Sequence, residues 1–238
     1  MTPDIEIIPT IWQYSRLFAF QLSGFVLSPP RCRVLYRPCV TKEDEPTIKV
    51  LEHYASRLPA SVTLEPHFME RRKLMRRAIG RNECCLSSKA PIVWCADVDY
   101  LATADCLDTI LNSFPCSVNL SHPAKVHATS RRRGMELIEA VNGVEVPLLD
   151  LVKDFPVNKR AKAIGGLQFF SGEYARKAGY CNDELWNRIF KPANRWQATR
   201  CDRKARVKAG GSTPMAITAL YRIRHWVRSE GAKEDAKL

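Results

Sequence analysis

Asp97 and Asp99 stand one residue apart where the apolar run Ile92-Val93-Trp94 ends, inside the segment PIVWCADVDY. In an extended chain the side chains of residues i and i+2 point to the same side, about 7 Å apart. Two carboxylates so placed repel each other, and each raises the other's pKa unless a cation lies nearby. Oxygen-rich pairs of this kind suit Mg²⁺ or Mn²⁺ carrying a substrate diphosphate. The same pattern also describes a polar turn after a strand. The flanking segments favour the metal.

Those segments alternate. Ile5 to Ile8 is a β-branched run ended by Pro9-Thr10 and reads as a first strand. Trp12 to Leu27 carries Leu17, Phe18, Phe20, Leu22 and Phe25 at helical spacing, interrupted by Gln13, Arg16 and Gln21. Arg33 to Tyr36 is expected as a strand, Pro46 to Tyr54 as a helix and Val62 to Leu64 as a third short strand. A basic amphipathic helix is predicted over Arg71 to Leu86, then the Asp97/Asp99 strand, a helix over Leu101 to Phe114 and a strand over Ser117 to Leu120. Residues 121–162 resist placement apart from a helical Met135 to Val141. Strands and helices in alternation predict a mostly parallel sheet with helices on both faces. Ligands bind such sheets beyond the carboxyl ends of the strands, where Thr10, Cys39, Asp97 and Asp99 all fall.

The chain has 238 residues and a net charge of +12. That charge suits a polyanionic partner: nucleic acid, anionic lipid headgroups or a nucleotide diphosphate. Arg71, Arg72, Lys73, Arg76, Arg77 and Arg81 form one basic cluster, and Arg131 to Arg133 another. The nine cysteines lack zinc-type spacing and read as reduced, mostly buried thiols, which points to the cytoplasm. No apolar run is long enough to span a bilayer, and Asp4 and Glu6 sit where a secretory signal would be positive.

Five segments then occur in a telling order: RRAIGRN from Arg76 to Asn82, WCADVDYL from Trp94 to Leu101, AIGGLQFFSGEYAR from Ala163 to Arg176, CDRKAR from Cys201 to Arg206, and LYRIRH from Leu220 to His225. From Ile5 to about His225 the chain resembles a family 2-type glycosyltransferase with the GT-A fold. The resemblance implies one Rossmann-like α/β domain over 1–238, with a nucleotide-sugar half at 1–115, an acceptor half at 116–228 and a flexible tail at 229–238. It implies a nucleotide-sugar donor, a UDP-sugar first, with Mn²⁺ or Mg²⁺ as cofactor. The acceptor it implies is a saccharide or a lipid-linked one, with peripheral membrane contact and no nucleic-acid partner.

By the same resemblance, Thr10 holds the nucleotide base, with Asp44 as a lesser candidate, and Arg77, Arg81 and Asn82 contact the nucleotide or its phosphates. Asp97 and Asp99 match the DxD motif, Asp97 nearer the ribose and a further candidate metal ligand, Asp99 on the metal, with His225 approaching the diphosphate or completing the metal shell. Gly165 and Gly166 open the segment lining the acceptor side, and Gln168 hydrogen-bonds donor sugar or acceptor. An inverting transfer needs a general base for the acceptor hydroxyl. The family places an acidic pair shortly before the last strand, and here Cys201 replaces its first member. Asp202 is therefore the expected base, with Asp183 and Glu184 as rivals. Two aspartates, a metal and high positive charge also describe metal-dependent phosphoryl transfer on nucleic acid. That alternative needs a third carboxylate or a binding module, and the sequence displays neither.

Overall fold

A computed structural model describes residues 2–226 except 116, 160, 161, 164 and 182–197, and only the backbone of residues 198–200. The first half is built as the alternation predicts. Strand β1 (Ile5–Ile7) leads to α1 (Ser15–Leu27), β2 (Val34–Tyr36), the short β3 (Cys39–Val40), α2 (Glu45–Ala55), β4 (Val62–Leu64) and β5 (His67–Phe68). Then come α3 (Arg71–Leu74), α4 (Ala78–Ser87) and β6 (Ile92–Cys95). The second half adds β7 (Tyr100–Ala102), α5 (Ala104–Ser113), β8 (Leu120–Pro123), β9 (Lys125–Ala128), α6 (Arg131–Glu139) and β10 (Val157–Lys159). It continues with β11 (Gln168–Ser171), α7 (Gly172–Ala178), α8 (Ala198–Lys208), β12 (Thr213–Met215) and β13 (Leu220–Arg222).

Seven strands form one sheet in the order β12-β8-β11-β6-β1-β2-β4. All neighbours are parallel except β11, which runs antiparallel between β6 and β8. This is the mostly parallel α/β sheet that the sequence predicts, and it crosses from the first half into the second without a break. Alternate residues of β6 and β11 face opposite layers, as the two-residue period requires. Trp94 stacks on Phe169 at 5.0 Å on one side, while Val93 and Phe170 join the other core with Cys84, Cys85 and Cys95. All eight described cysteines are buried free thiols.

Four expectations need correction. The basic helix over 71–86 is two helices, α3 and α4, broken by a turn at Met75–Arg77. The helix expected from Leu101 starts at Ala104, because Tyr100–Ala102 instead pairs antiparallel with β13. The strand expected over Ser117 to Leu120 runs Leu120–Pro123. Asp202 lies inside α8, with β12 and β13 both still to come, rather than directly before the last strand.

A second sheet, β10-β9-β13-β7, was not legible in the sequence. Its strands, YLA, KVHA, VNK and LYR, carry only two β-branched residues among them and so leave little strand signal. It sets Arg222 opposite Tyr100, so the chain's last described strand lies beside the segment that carries Asp97 and Asp99.

Candidate active site

The turn after β6 is fixed from three sides. From α1, Gln21 Nε2 donates to the carbonyls of Tyr100 at 2.7 Å and Asp97 at 3.3 Å, and Tyr36 donates its hydroxyl to Gln21 Oε1. From β13, the Ile223 amide donates to the Asp99 carbonyl at 2.9 Å. From the segment before β11, the Gly166 amide donates to Asp97 Oδ2 at 2.9 Å, and the Gly166 carbonyl accepts from the Trp94 indole at 2.7 Å. Glycine is required in that segment. Gly165 has φ +48°, and a Cβ on Gly166 would lie 2.1 Å from the Asp97 amide nitrogen.

Asp97 meets two arginines. Arg77 and Arg81, one helical turn apart, reach Asp97 Oδ1 at 3.1 Å and 2.9 Å. Arg77 also reaches Asp202 Oδ2 at 2.6 Å, so one guanidinium bridges Asp97 and the expected base. Arg81 lies 3.6 Å from Asp202 Oδ1. The Tyr180 hydroxyl accepts from Arg81 at 3.2 Å and lies within hydrogen-bond reach of both Gln168 Oε1, at 2.8 Å, and Asp202 Oδ1. Its single proton can serve either acceptor. Gln168 Nε2 donates to the Asp202 carbonyl at 3.0 Å. The result is a closed network of two cations and two carboxylates with Tyr180 and Gln168 behind them. Burial pushes the Asp97 carboxyl up, but Arg77 and Arg81 outweigh it and hold the group down at about 2. Beside Asp202, burial raises the Cys201 thiol, but a hydrogen bond with Cys181 has the larger effect and draws it below its ordinary value.

Asp99 has a different environment. Arg222 Nε donates to its Oδ2 at 2.7 Å, and His225 Nε2 lies 3.9 Å from the same oxygen. Its Oδ1 is buried with no hydrogen-bond partner among the described residues. Burial raises the Asp99 carboxyl above the ordinary range and the nearby Asp97 charge adds to that, while Arg222 opposes both. Among the described residues no three His, Cys, Asp or Glu side chains converge as a ready metal cage. The residues present nonetheless fit a divalent ion that brings its remaining oxygen ligands from substrate and water: a hard, unpartnered carboxylate oxygen beside an imidazole. Both oxygens of Asp97, by contrast, already accept hydrogen bonds from Arg77, Arg81 and Gly166.

The sequence-predicted residues thus fall into two layers. Arg77, Asp97, Asp202, Gly166, Asp99 and His225 converge on one place. Arg81 and Gln168, expected to touch the donor, have no exposed surface and act on Asp97 and Asp202 from behind. Asn82 accepts the Tyr180 amide at 3.0 Å and packs against Gly179, so it shapes the turn that carries Tyr180. Thr10, beyond the end of β1, bridges to Cys39 at the start of β3, and among the described residues its buried hydroxyl has no partner. Asp44 accepts the Gln13 amide at 2.6 Å and the Thr47 hydroxyl at 2.7 Å, holding Gln13 in a left-handed conformation. Asp183 and Glu184 lie outside the described residues. Tyr180, Arg222 and Gln21 were not singled out as site residues. Gln21 alone left a readable signal, a polar side chain whose helical neighbours Leu17, Phe18 and Phe25 are apolar.

No family profile matches this chain and no curated protein matches it in sequence. Solved structures do match in shape. S. aureus TarS residues 1–349 aligns with TM-score 0.50 and 12% identity over 93% of this chain and 60% of that one. A second S. aureus TarS structure aligns with TM-score 0.57 and 13% identity over 99% of this chain. This chain spans 38% of that longer structure. The neighbours are glycosyltransferases of GT-A fold, and the likeness shows that this chain has that fold.

Proposed function

We propose that the chain is an inverting, metal-dependent glycosyltransferase that moves a sugar from a nucleotide-sugar donor, a UDP-sugar first, to the hydroxyl of a saccharide, free or lipid-linked. The observation that carries this reading is Arg77, whose one guanidinium spans Asp97 and Asp202 beyond the carboxyl end of β6. It brings a phosphate-compatible cation, the first DxD carboxylate and a base candidate within one side chain's reach, on a fold shared with glycosyltransferases.

In this reading Thr10 meets the nucleotide base with its unpartnered hydroxyl, and Asp97, held rigid by Arg81 and Gly166, faces the ribose. Among the described residues the resident charges nearly cancel, two arginines against Asp97 and Asp202 and Arg222 against Asp99. A nucleoside diphosphate therefore brings negative charge that needs a further cation. Asp99 Oδ1 and His225 would hold Mn²⁺ or Mg²⁺, which when bound neutralises the diphosphate leaving group. Asp202 takes the proton of the acceptor oxygen as that oxygen attacks the anomeric carbon from the face opposite the leaving diphosphate. Tyr180 and Gln168 keep the carboxylate aimed.

A thermal-shift panel of UDP-, GDP- and CMP-sugars with and without Mn²⁺ tests the reading, since a true donor raises the melting temperature by mass action. With the donor identified, Asp202→Asn is expected to cut transfer or donor hydrolysis by about 10²–10⁴-fold and to leave metal binding intact. A panel with no shift for any nucleotide sugar would overturn the reading. Full activity in Asp202→Asn would move the base elsewhere, with Asp183 and Glu184 the next to test.

A further inference from the structure

Arg77 and Arg81 contact the same two carboxylates but differ in burial. Arg81 is entirely buried and tied also to the Ala96 carbonyl and the Tyr180 hydroxyl. Arg77 is the last residue of the helix break, immediately before α4, and 11% of its side chain is exposed. Its Nη2 covers Asp202 Oδ2, the oxygen that neither Tyr180 nor Arg81 contacts and so the one best placed to receive a proton. With that guanidinium in place Asp202 is aimed but capped.

We infer that Arg77 is an exchangeable clamp: in the ligand-free chain it ties Asp97 to Asp202, and an incoming nucleoside diphosphate draws its guanidinium onto the phosphates and uncaps Asp202 Oδ2. This rests on the glycosyl-transfer reading above. The exchange is chemically balanced. A guanidinium fork suits carboxylate and phosphate alike, and the diphosphate carries more charge than the carboxylate it displaces. Arg81 stays behind, so Asp97 and Asp202 never face each other unscreened. Tyr180 and Gln168 keep Asp202 in position after Arg77 leaves. The base then becomes available only once a donor is bound, which orders donor before acceptor.

The clamp makes a prediction that a purely structural Arg77 would not. If Arg77 must abandon Asp202 to bind phosphate, neutralising Asp202 should tighten nucleotide binding. Calorimetry would compare UDP, GDP and dTDP, at fixed Mn²⁺, on the parent chain, Asp202→Asn, Arg77→Gln and the double variant. The nucleotide that binds the parent is expected to bind Asp202→Asn about tenfold tighter, the worth of one charge-assisted hydrogen bond. In the Arg77→Gln background the same change should shift affinity by about twofold at most. Equal or weaker binding by Asp202→Asn overturns the clamp, and so does a gain that persists without Arg77, since that would be simple removal of a negative charge. Should Asp202→Asn fail to fold, nitrogen-15 spectra of arginine side chains in the parent decide. The Arg77 signal, identified by its loss in Arg77→Lys, should move with nucleotide while that of Arg81 stays, and a stationary Arg77 signal overturns the clamp. If none of the three nucleotides binds the parent, the glycosyl-transfer reading fails first and the clamp with it. Nucleotide binding with no exchange removes the clamp alone.

Discussion

Asp97 and Asp99 are separated by a single residue and opposite in electrical setting. Asp97 has two guanidinium groups and a backbone amide on its oxygens, and its carboxyl is held down at about 2. Asp99 has one arginine on one oxygen and nothing on the other, and burial pushes its carboxyl up. The first setting stabilises the anion within the protein, so Asp97 and its neighbours form a rigid fixture. The second leaves an anion under-compensated, which is the condition for gaining a cation from outside. Spacing alone makes the two carboxylates equivalent. Their partners, drawn from α4 and the Gly165-Gly166 segment on one side and from β13 on the other, make them different.

The largest expected effect that would break this comparison is on the Asp97 side. Arg81→Ala removes a buried cation shared by two carboxylates, and unfolding in denaturant should show a loss of about 3–5 kcal/mol. A loss under about 1 kcal/mol would mean the network is not a structural fixture. Next comes Gly166→Ala, whose added methyl meets the Asp97 backbone at 2.1 Å. A destabilisation of about 1–3 kcal/mol is expected in the same assay, and unchanged stability would show that the segment is not locked onto Asp97.

The smallest effect on stability belongs to Asp99→Asn. A carboxyl whose folded pKa is raised costs stability when ionised, so the amide should be neutral or slightly stabilising at pH 7, within about 1 kcal/mol. Its Mn²⁺ affinity should nonetheless collapse, as calorimetry can measure, whereas parent-like affinity would remove the metal from Asp99. Acid titration sharpens the contrast. A depressed pKa contributes stability above the unfolded value of 3.8 and loses it as pH falls toward about 2. The melting temperature should therefore fall across that window in the parent, and Asp97→Asn should flatten the slope while Asp99→Asn leaves it. An unchanged slope in Asp97→Asn would place the acid-sensitive group elsewhere.

Much of the first half was legible because its strands are β-branched runs closed by proline, and its helices are long enough to show a period. Ile5–Ile7, Val34–Tyr36 and Val62–Leu64 fall where the pattern set them. The pattern failed where a local rule met a tertiary constraint. The basic stretch from Arg71 to Ala78 consists of good helix formers, yet it breaks at Met75–Arg77. Arg71 there stacks 4.8 Å above the Trp12 ring, while Arg77 and Arg81 turn to Asp97. Basic residues that read alike in sequence thus divide into a cover for an indole, a bridge between two carboxylates and a fully buried anchor.

By itself the sequence determined the sheet type, the strand end where Asp97 and Asp99 sit, and which residue types gather there, because periodicity, proline and glycine punctuation and carboxylate spacing are local properties. Only the tertiary structure decided how those residues divide the work. It placed Arg81 and Gln168 behind the site, brought Tyr180 onto Asp202 and carried Arg222 to Asp99 across 123 positions of chain. Such contacts depend on which strands pair and in what register, and pairing between segments three or four residues long is set by the packing of the whole core rather than by the segments themselves.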